Sequence, residues 1–222
     1  MDNFLLYLLA LIIPLIAQIY ISFCYDKYKK IENKNKLSGF EVARKILDKN
    51  GLKDVYVVET KGNLTDHYDP RRKTVKLSGS VFHGDSIASM AVAAHECGHA
   101  IQDKDGYKPM RIRSKIIPTL YICTRIGYIA IIVGAIFSYK LTEIGIIILL
   151  ALLAFQIITL PVEFNASRRA LNELKTNRFL DKDETKDAKN MLLAAAFTYV
   201  ASMLSTLLQI LRGVLLFADR DR

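Results

Sequence analysis

Five consecutive residues, His95-Glu96-Cys97-Gly98-His99, set two imidazoles and a carboxylate within little more than one helical turn. They follow an uncharged run, Ser86 to Ala94, that reads as helix. Residues four apart on a helix differ by about 40° in direction and lie one turn apart. His95 and His99 therefore point the same way, close enough for both rings to hold one Zn²⁺. Glu96 lies about 100° around the helix, beside the pair. A carboxylate there can take a proton from a metal-activated water without occupying the metal. The plainer reading is an ordinary pair of surface or core histidines. It is the weaker one, because the chain has only four His and buried neutral imidazoles would each need a partner. Cys97 points about 200° from His95, cannot join the same ion from this helix, and reads as a small buried apolar residue. Gly98 costs about 1 kcal/mol relative to Ala in a helix interior. Close approach of another backbone segment to that face would explain it.

The elements around this helix follow from local signals. Ser38-Gly39-Phe40-Glu41 is a capping-box pattern and opens a short amphipathic helix over Glu41 to Asn50, stopped at Gly51. Val55 to Glu59 reads as a strand. Leu64 to Tyr68 and Thr74 to Leu77 flank the turn signal Asp69-Pro70-Arg71-Arg72 and predict a hairpin. Asp85 or Ser86 caps the metal helix, which runs to about Asp103. Asp181-Lys182-Asp183-Glu184 opens a further helix. Strand order is not legible at this level.

The remaining sequence is apolar in blocks. Phe4 to Tyr25, Ile144 to Val162 and Met191 to Leu211 carry no charge, and Ile116 to Tyr139 carries one, Arg125. A membrane span needs about 20 such residues. The first run reads as an anchor rather than a cleaved signal, since no basic n-region or small-residue cleavage pattern brackets it. The last run has a polar stripe, Thr198, Ser202, Ser205, Gln209 and Arg212. It reads as a fourth span, with a helix packed under the catalytic part as the alternative. Lys27, Lys29, Lys30, Lys34 and Lys36 follow the first run, and Arg168, Arg169, Lys175, Arg178, Lys182, Lys186 and Lys189 follow the third. The positive-inside rule then places the N-terminus outside and both basic segments in the cytoplasm. The net charge of +9 belongs to segments facing an anionic leaflet, not to a nucleic-acid module. The three cysteines, Cys24, Cys97 and Cys123, have no ligand-type spacing.

A catalytic zinc site takes three protein ligands and keeps one position open. Glu163 ends the third apolar run, on the same predicted side as His95 and His99. A carboxylate there must be paired, solvated or metal-bound. Pairing with Arg168 or Arg169 stands beside ligation as an equal reading. His67, with Tyr68 and Asp69, reads either as a polar turn or as a contact to substrate or to a developing oxyanion. His83 reads as structural or exposed.

Longer motifs narrow this. Leu64-Thr65-Asp66-His67-Tyr68-Asp69-Pro70, Ser86-Ile87-Ala88, Ala91-Val92-Ala93-Ala94-His95-Glu96, Gly98-His99-Ala100-Ile101-Gln102 and Leu160-Pro161-Val162-Glu163-Phe164-Asn165-Ala166-Ser167 resemble the YugP-type membrane zinc metallopeptidases. The resemblance covers nearly the whole chain. Its layout is similar to the wider HtpX and CAAX-prenyl-endopeptidase group, where an H-E-x-x-H helix is followed by two spans and then by a ligand Glu. The resemblance implies that Glu163 is the third ligand. The wider group usually carries Asp four residues later, to orient a zinc-bound His. Ser167 stands there in this chain, a hydroxyl that can hydrogen-bond but brings no charge.

The expected protein is an α-rich integral membrane protein with a small α+β zincin-like catalytic domain and three to four transmembrane helices. Residues 1–25 form the anchor, and 26–115 the cytoplasmic α+β part. Residues 116–162 form a transmembrane hairpin, 163–190 the helical part with the third ligand, and 191–222 the C-terminal apolar helix. One Zn²⁺ sits on His95, His99 and Glu163, with Glu96 as general base, in a plasma-membrane endopeptidase facing the cytoplasm. The expected partners are the lipid bilayer and a protein or peptide substrate, membrane-associated proteins among them; no nucleic acid is expected. The rival readings are a catalytically inactive zinc-binding scaffold, a hydrolase of lipid bonds, and a small transporter.

Overall fold

The computed structural model describes residues 3–116 and 139–218. In order they form α1 (Asn3–Tyr28), α2 (Gly39–Lys49), β1 (Tyr56–Thr60), β2 (His67–Asp69), β3 (Thr74–Ser78), α3 (Gly79–Phe82) and α4 (Ile87–Lys104). Residues 108–116 are helical (α5), and α6 (Tyr139–Thr176) and α7 (Lys182–Ala218) follow. Three of these helices are long and apolar enough to cross a membrane: Phe4–Tyr28, Glu143–Thr176 and Lys182–Leu215. The chain is thus an α-rich membrane protein with one small sheet. The expected second span, with Cys123 and Arg125, lies outside the described residues except at its ends.

The described residues belong to two compact units. The first takes in Tyr20–Arg111 and Pro161–Ala196. Its local starts follow the predicted chemistry. The Ser38 hydroxyl accepts the Glu41 N–H, and the Glu41 carboxylate accepts the Ser38 N–H, so the box closes both ways. Asp181 and Glu184 exchange the same pair of bonds at the start of α7. Ser86, not Asp85, caps α4 by accepting from Ser89 N–H. Asp69 Oδ1 accepts from the N–H groups of Arg71 and Arg72, which turns the chain between β2 and β3. The sheet order is β1-β3-β2. β2 runs antiparallel to β3 as the hairpin requires, with Tyr68 opposite Val75, and β1 lies parallel on the other side of β3.

The core of this unit is built around α4, which is buried along nearly its whole length, as a helix packed on several sides must be. It packs against α2, α3, β2 and β3. Val42, Ile46 and Leu47 of α2, Val75 and Leu77 of β3, and Val162, Ala170 and Leu174 of α6 join its cluster. Short α3, absent from the sequence expectations, links β3 to α4.

The second unit comprises Met1–Ile19, Ile112–Leu160 and Phe197–Arg222. Within it the C-terminal end of the α7 polar stripe turns towards α1, whereas Ser202 is exposed and donates to the Thr198 carbonyl of its own helix. Ser205 Oγ donates to the Ala10 carbonyl at 2.6 Å, Gln209 Nε2 donates to Ser205 Oγ at 3.1 Å, and the Arg212 guanidinium lies 4.9 Å from the centre of the Tyr7 ring. Polar groups in an apolar helix pack inward for this reason. Leu204, Leu207 and Leu211 remain exposed.

Candidate metal centre

α4 presents His95 and His99 on one face, with ring centroids 4.8 Å apart at 84°. α6 supplies Glu163, 2% exposed. His95 Nε2 lies 3.1 Å from Glu163 Oε2, and His99 Nε2 lies 3.7 Å from the same oxygen. Each residue offers a ligand atom, and these atoms all fall within 4.8 Å of one another. Two ligands each about 2.05 Å from a tetrahedral zinc stand about 3.3 Å apart. The separations of 3.1 and 3.7 Å bracket that value, and two imidazoles with one carboxylate are a donor set zinc accepts, so the residues fit the ion. Buried carboxylates need a partner, and His95 Nε2, 3.1 Å from Glu163 Oε2, lies within hydrogen-bonding distance. Of the two ion-pair candidates from the sequence, Arg168 is exposed, and Arg169 directs its guanidinium to Asp105 at 2.6 Å and to Asn165 Oδ1 at 2.8 Å.

Close contact of α4 and α6 sets these distances. A Cβ on Gly98 would lie 2.6 Å from the Ala166 carbonyl oxygen and 3.2 Å from Ala166 Cα. Glycine therefore lets the backbone of α6 pass one residue away from His99, which accounts for its helix-interior cost. Ala166 lies three residues after Glu163, so this contact brings the carboxylate over the histidine pair. Cys97 faces the other way, fully buried near the Ala43 carbonyl, and burial pushes its thiol pKa up.

Both rings are held from behind. Ser167 Oγ is 3.2 Å from His95 Nδ1. His99 Nδ1 is 3.0 Å from Gln102 Oε1, and Gln102, fully buried, donates through Nε2 to the Val162 carbonyl and to Asn165 Oδ1. Gln102 and Asn165 were not singled out from the sequence. The available signal was position: Gln102 stands three residues after His99, on the same helix face.

The other candidates lie in different settings. Glu96 is buried beside His95 on α4. His67 is exposed on edge strand β2, with Nδ1 2.8 Å from the Thr65 carbonyl. Tyr68 is buried, and its hydroxyl donates to Asp103 at 3.0 Å. Burial, with Asp103 beside it, raises the Tyr68 pKa. His83 is exposed and 3.1 Å from Glu59.

Residues 3–218 match the model of a family described as "Putative neutral zinc metallopeptidase", and the chain belongs to that family. It is 42% identical over 204 residues to the "Putative membrane protease YugP" of Bacillus subtilis (strain 168), with 91% of each chain covered. No solved structure matches it.

Proposed function

We propose that this chain is a membrane-embedded zinc endopeptidase whose active site faces the cytoplasm. The observation that carries this reading is the convergence of His95, His99 and Glu163 at zinc-like spacing, with a further carboxylate, Glu96, next to the first histidine. One Zn²⁺ bound there supplies Lewis acidity, which polarises a peptide carbonyl and makes water nucleophilic near neutral pH. Glu96 accepts the proton that the attacking water gives up as its oxygen bonds to the carbonyl carbon. The Glu96 carboxyl then delivers that proton to the amine nitrogen as the C–N bond breaks. Ser167 and Gln102 hold the histidine rings in place.

The substrate lies extended along β2, an edge strand of the sheet. β2 packs on α4, and an edge strand pairs with an incoming main chain. His67 on β2 then lies along the bound strand. The cytoplasmic assignment rests on charge. Lys27 to Lys36 and Arg168 to Lys189 fall in one compact unit, as two segments on the same side of a membrane should. Membrane-associated proteins are the natural substrates for a site built on a membrane-type helix.

Cleavage of casein, or of a membrane protein in detergent, tests the reading. The wild type cleaves, chelator stops it, and zinc restores it. Glu96→Gln retains zinc and loses about 10²–10⁴-fold in kcat. Unchanged function in Glu96→Gln favours a zinc-binding scaffold instead.

A further inference from the structure

Four groups behind His99 have fixed or deducible hydrogen-bonding roles, and together they decide which nitrogen of that ring carries a proton. A carbonyl only accepts, so the Gln102 atom 2.8 Å from the Val162 oxygen is the amide nitrogen. A guanidinium only donates, so the Asn165 atom 2.8 Å from Arg169 Nε is Oδ1. That oxygen also accepts from Gln102 Nε2 at 3.0 Å. Two independent partners thus orient the Gln102 amide the same way. Its remaining atom, Oε1, faces His99 Nδ1 at 3.0 Å, and an acceptor there requires N–H on Nδ1. A neutral imidazole protonated at Nδ1 has its lone pair on Nε2. Nε2 is the atom 3.7 Å from Glu163 Oε2. The Ser167 hydroxyl beside His95 Nδ1 sets no such constraint, because it can donate or accept.

We infer that Gln102 is a positioning residue that locks His99 in the Nδ1–H tautomer and ties α4 to α6 through Val162 and Asn165. It keeps one ligand lone pair aimed at the metal position before the ion arrives, and it holds the helix that carries Glu163 in register with the histidines. A polar side chain with no exposed surface, whose amide and carbonyl are both engaged, suits that task. The inference rests on the zinc reading only for its metal-affinity arm. The tautomer is a property of the metal-free protein.

The test uses the full chain in detergent, ¹⁵N-labelled at histidine. Four ring systems are expected, assigned by single-histidine substitutions. Long-range ¹H–¹⁵N spectra of metal-free protein at alkaline pH, where imidazoles are neutral, report the tautomer. His99 is expected as Nδ1–H in the wild type and in Gln102→Glu, which keeps the acceptor. In Gln102→Leu it shifts towards Nε2–H, and Zn²⁺ affinity by chelator competition falls about 10–100-fold. Wild-type His99 protonated at Nε2 overturns the inference, and that spectrum decides even if Gln102→Leu does not fold. A folded Gln102→Leu with Nδ1–H intact and wild-type zinc affinity overturns it too. A wild type that shows the Nδ1–H form yet takes up no zinc contradicts the peptidase reading and leaves the tautomer assignment standing.

Discussion

The two halves of α6 are built for different surroundings. From residue 143 to 160 large apolar side chains stand exposed, Ile147 at 64% and Ile157 at 56%, although Leu149 is buried. From Pro161 onwards the pattern inverts. Val162, Ala166, Ala170 and Leu174 are fully buried at four-residue steps, and the exposed positions include Arg168 and Lys175. The first half is apolar where lipid would be the solvent, and the second is apolar where protein is. Glu163 stands just inside the second half. A buried carboxylate is tolerable there because packed helices and imidazoles surround it.

Substitutions in the two halves should therefore behave differently. Leu174→Ala removes a fully buried side chain from the core and is expected to cost about 2–5 kcal/mol, read as a lower Tm in detergent. Gly98→Val strikes the contact that brings α6 over α4. It should cost about 1–3 kcal/mol by overpacking and weaken zinc retention together with stability. If zinc binding survives unchanged, the close approach at Ala166 is not what assembles the site. Tyr68→Phe loses one hydrogen bond to Asp103, about 1 kcal/mol. Its pH dependence has a definite sign. The Tyr68 pKa is raised in the folded chain, so the unfolded chain releases the proton first once pH passes about 10. Tyr68 stabilisation is whole below that pH and declines above it, and Tyr68→Phe should flatten the decline in thermal melts at high pH. Ile147→Ala, in the outward half, is expected within about 0.5 kcal/mol of wild type in the same melts. A loss as large as that of Leu174→Ala would show that the first half is packed in protein.

What the sequence made legible is what depends on short spacing. The His95–His99 face, the box at Ser38 and Glu41, the cap pair at Asp181 and Glu184, and the β2–β3 hairpin each lie within a few turns of chain. The parallel pairing of β1 with β3 does not, because nothing local to Tyr56–Thr60 encodes its neighbour. Glu163 sits 68 residues from His95, and its own surroundings suit an arginine partner equally well; only the longer motif resemblance implies ligation. Gln102 escaped for another reason. A glutamine near a helix end is usually solvated, and only the arrival of α6 turns it into a buried three-way junction. Gly98 was legible as an anomaly but not as an answer until Ala166 was in place.

In the function proposed above, α4 and the second half of α6 jointly grip one zinc ion. The most direct test is zinc per chain in purified wild type and in Glu163→Ala, each loaded with zinc and dialysed against a mild chelator. One zinc per wild-type chain is expected, with sharply reduced retention in Glu163→Ala and the variant still folded by circular dichroism. Equal retention in the two proteins, or a folded wild type that holds no zinc, would contradict it.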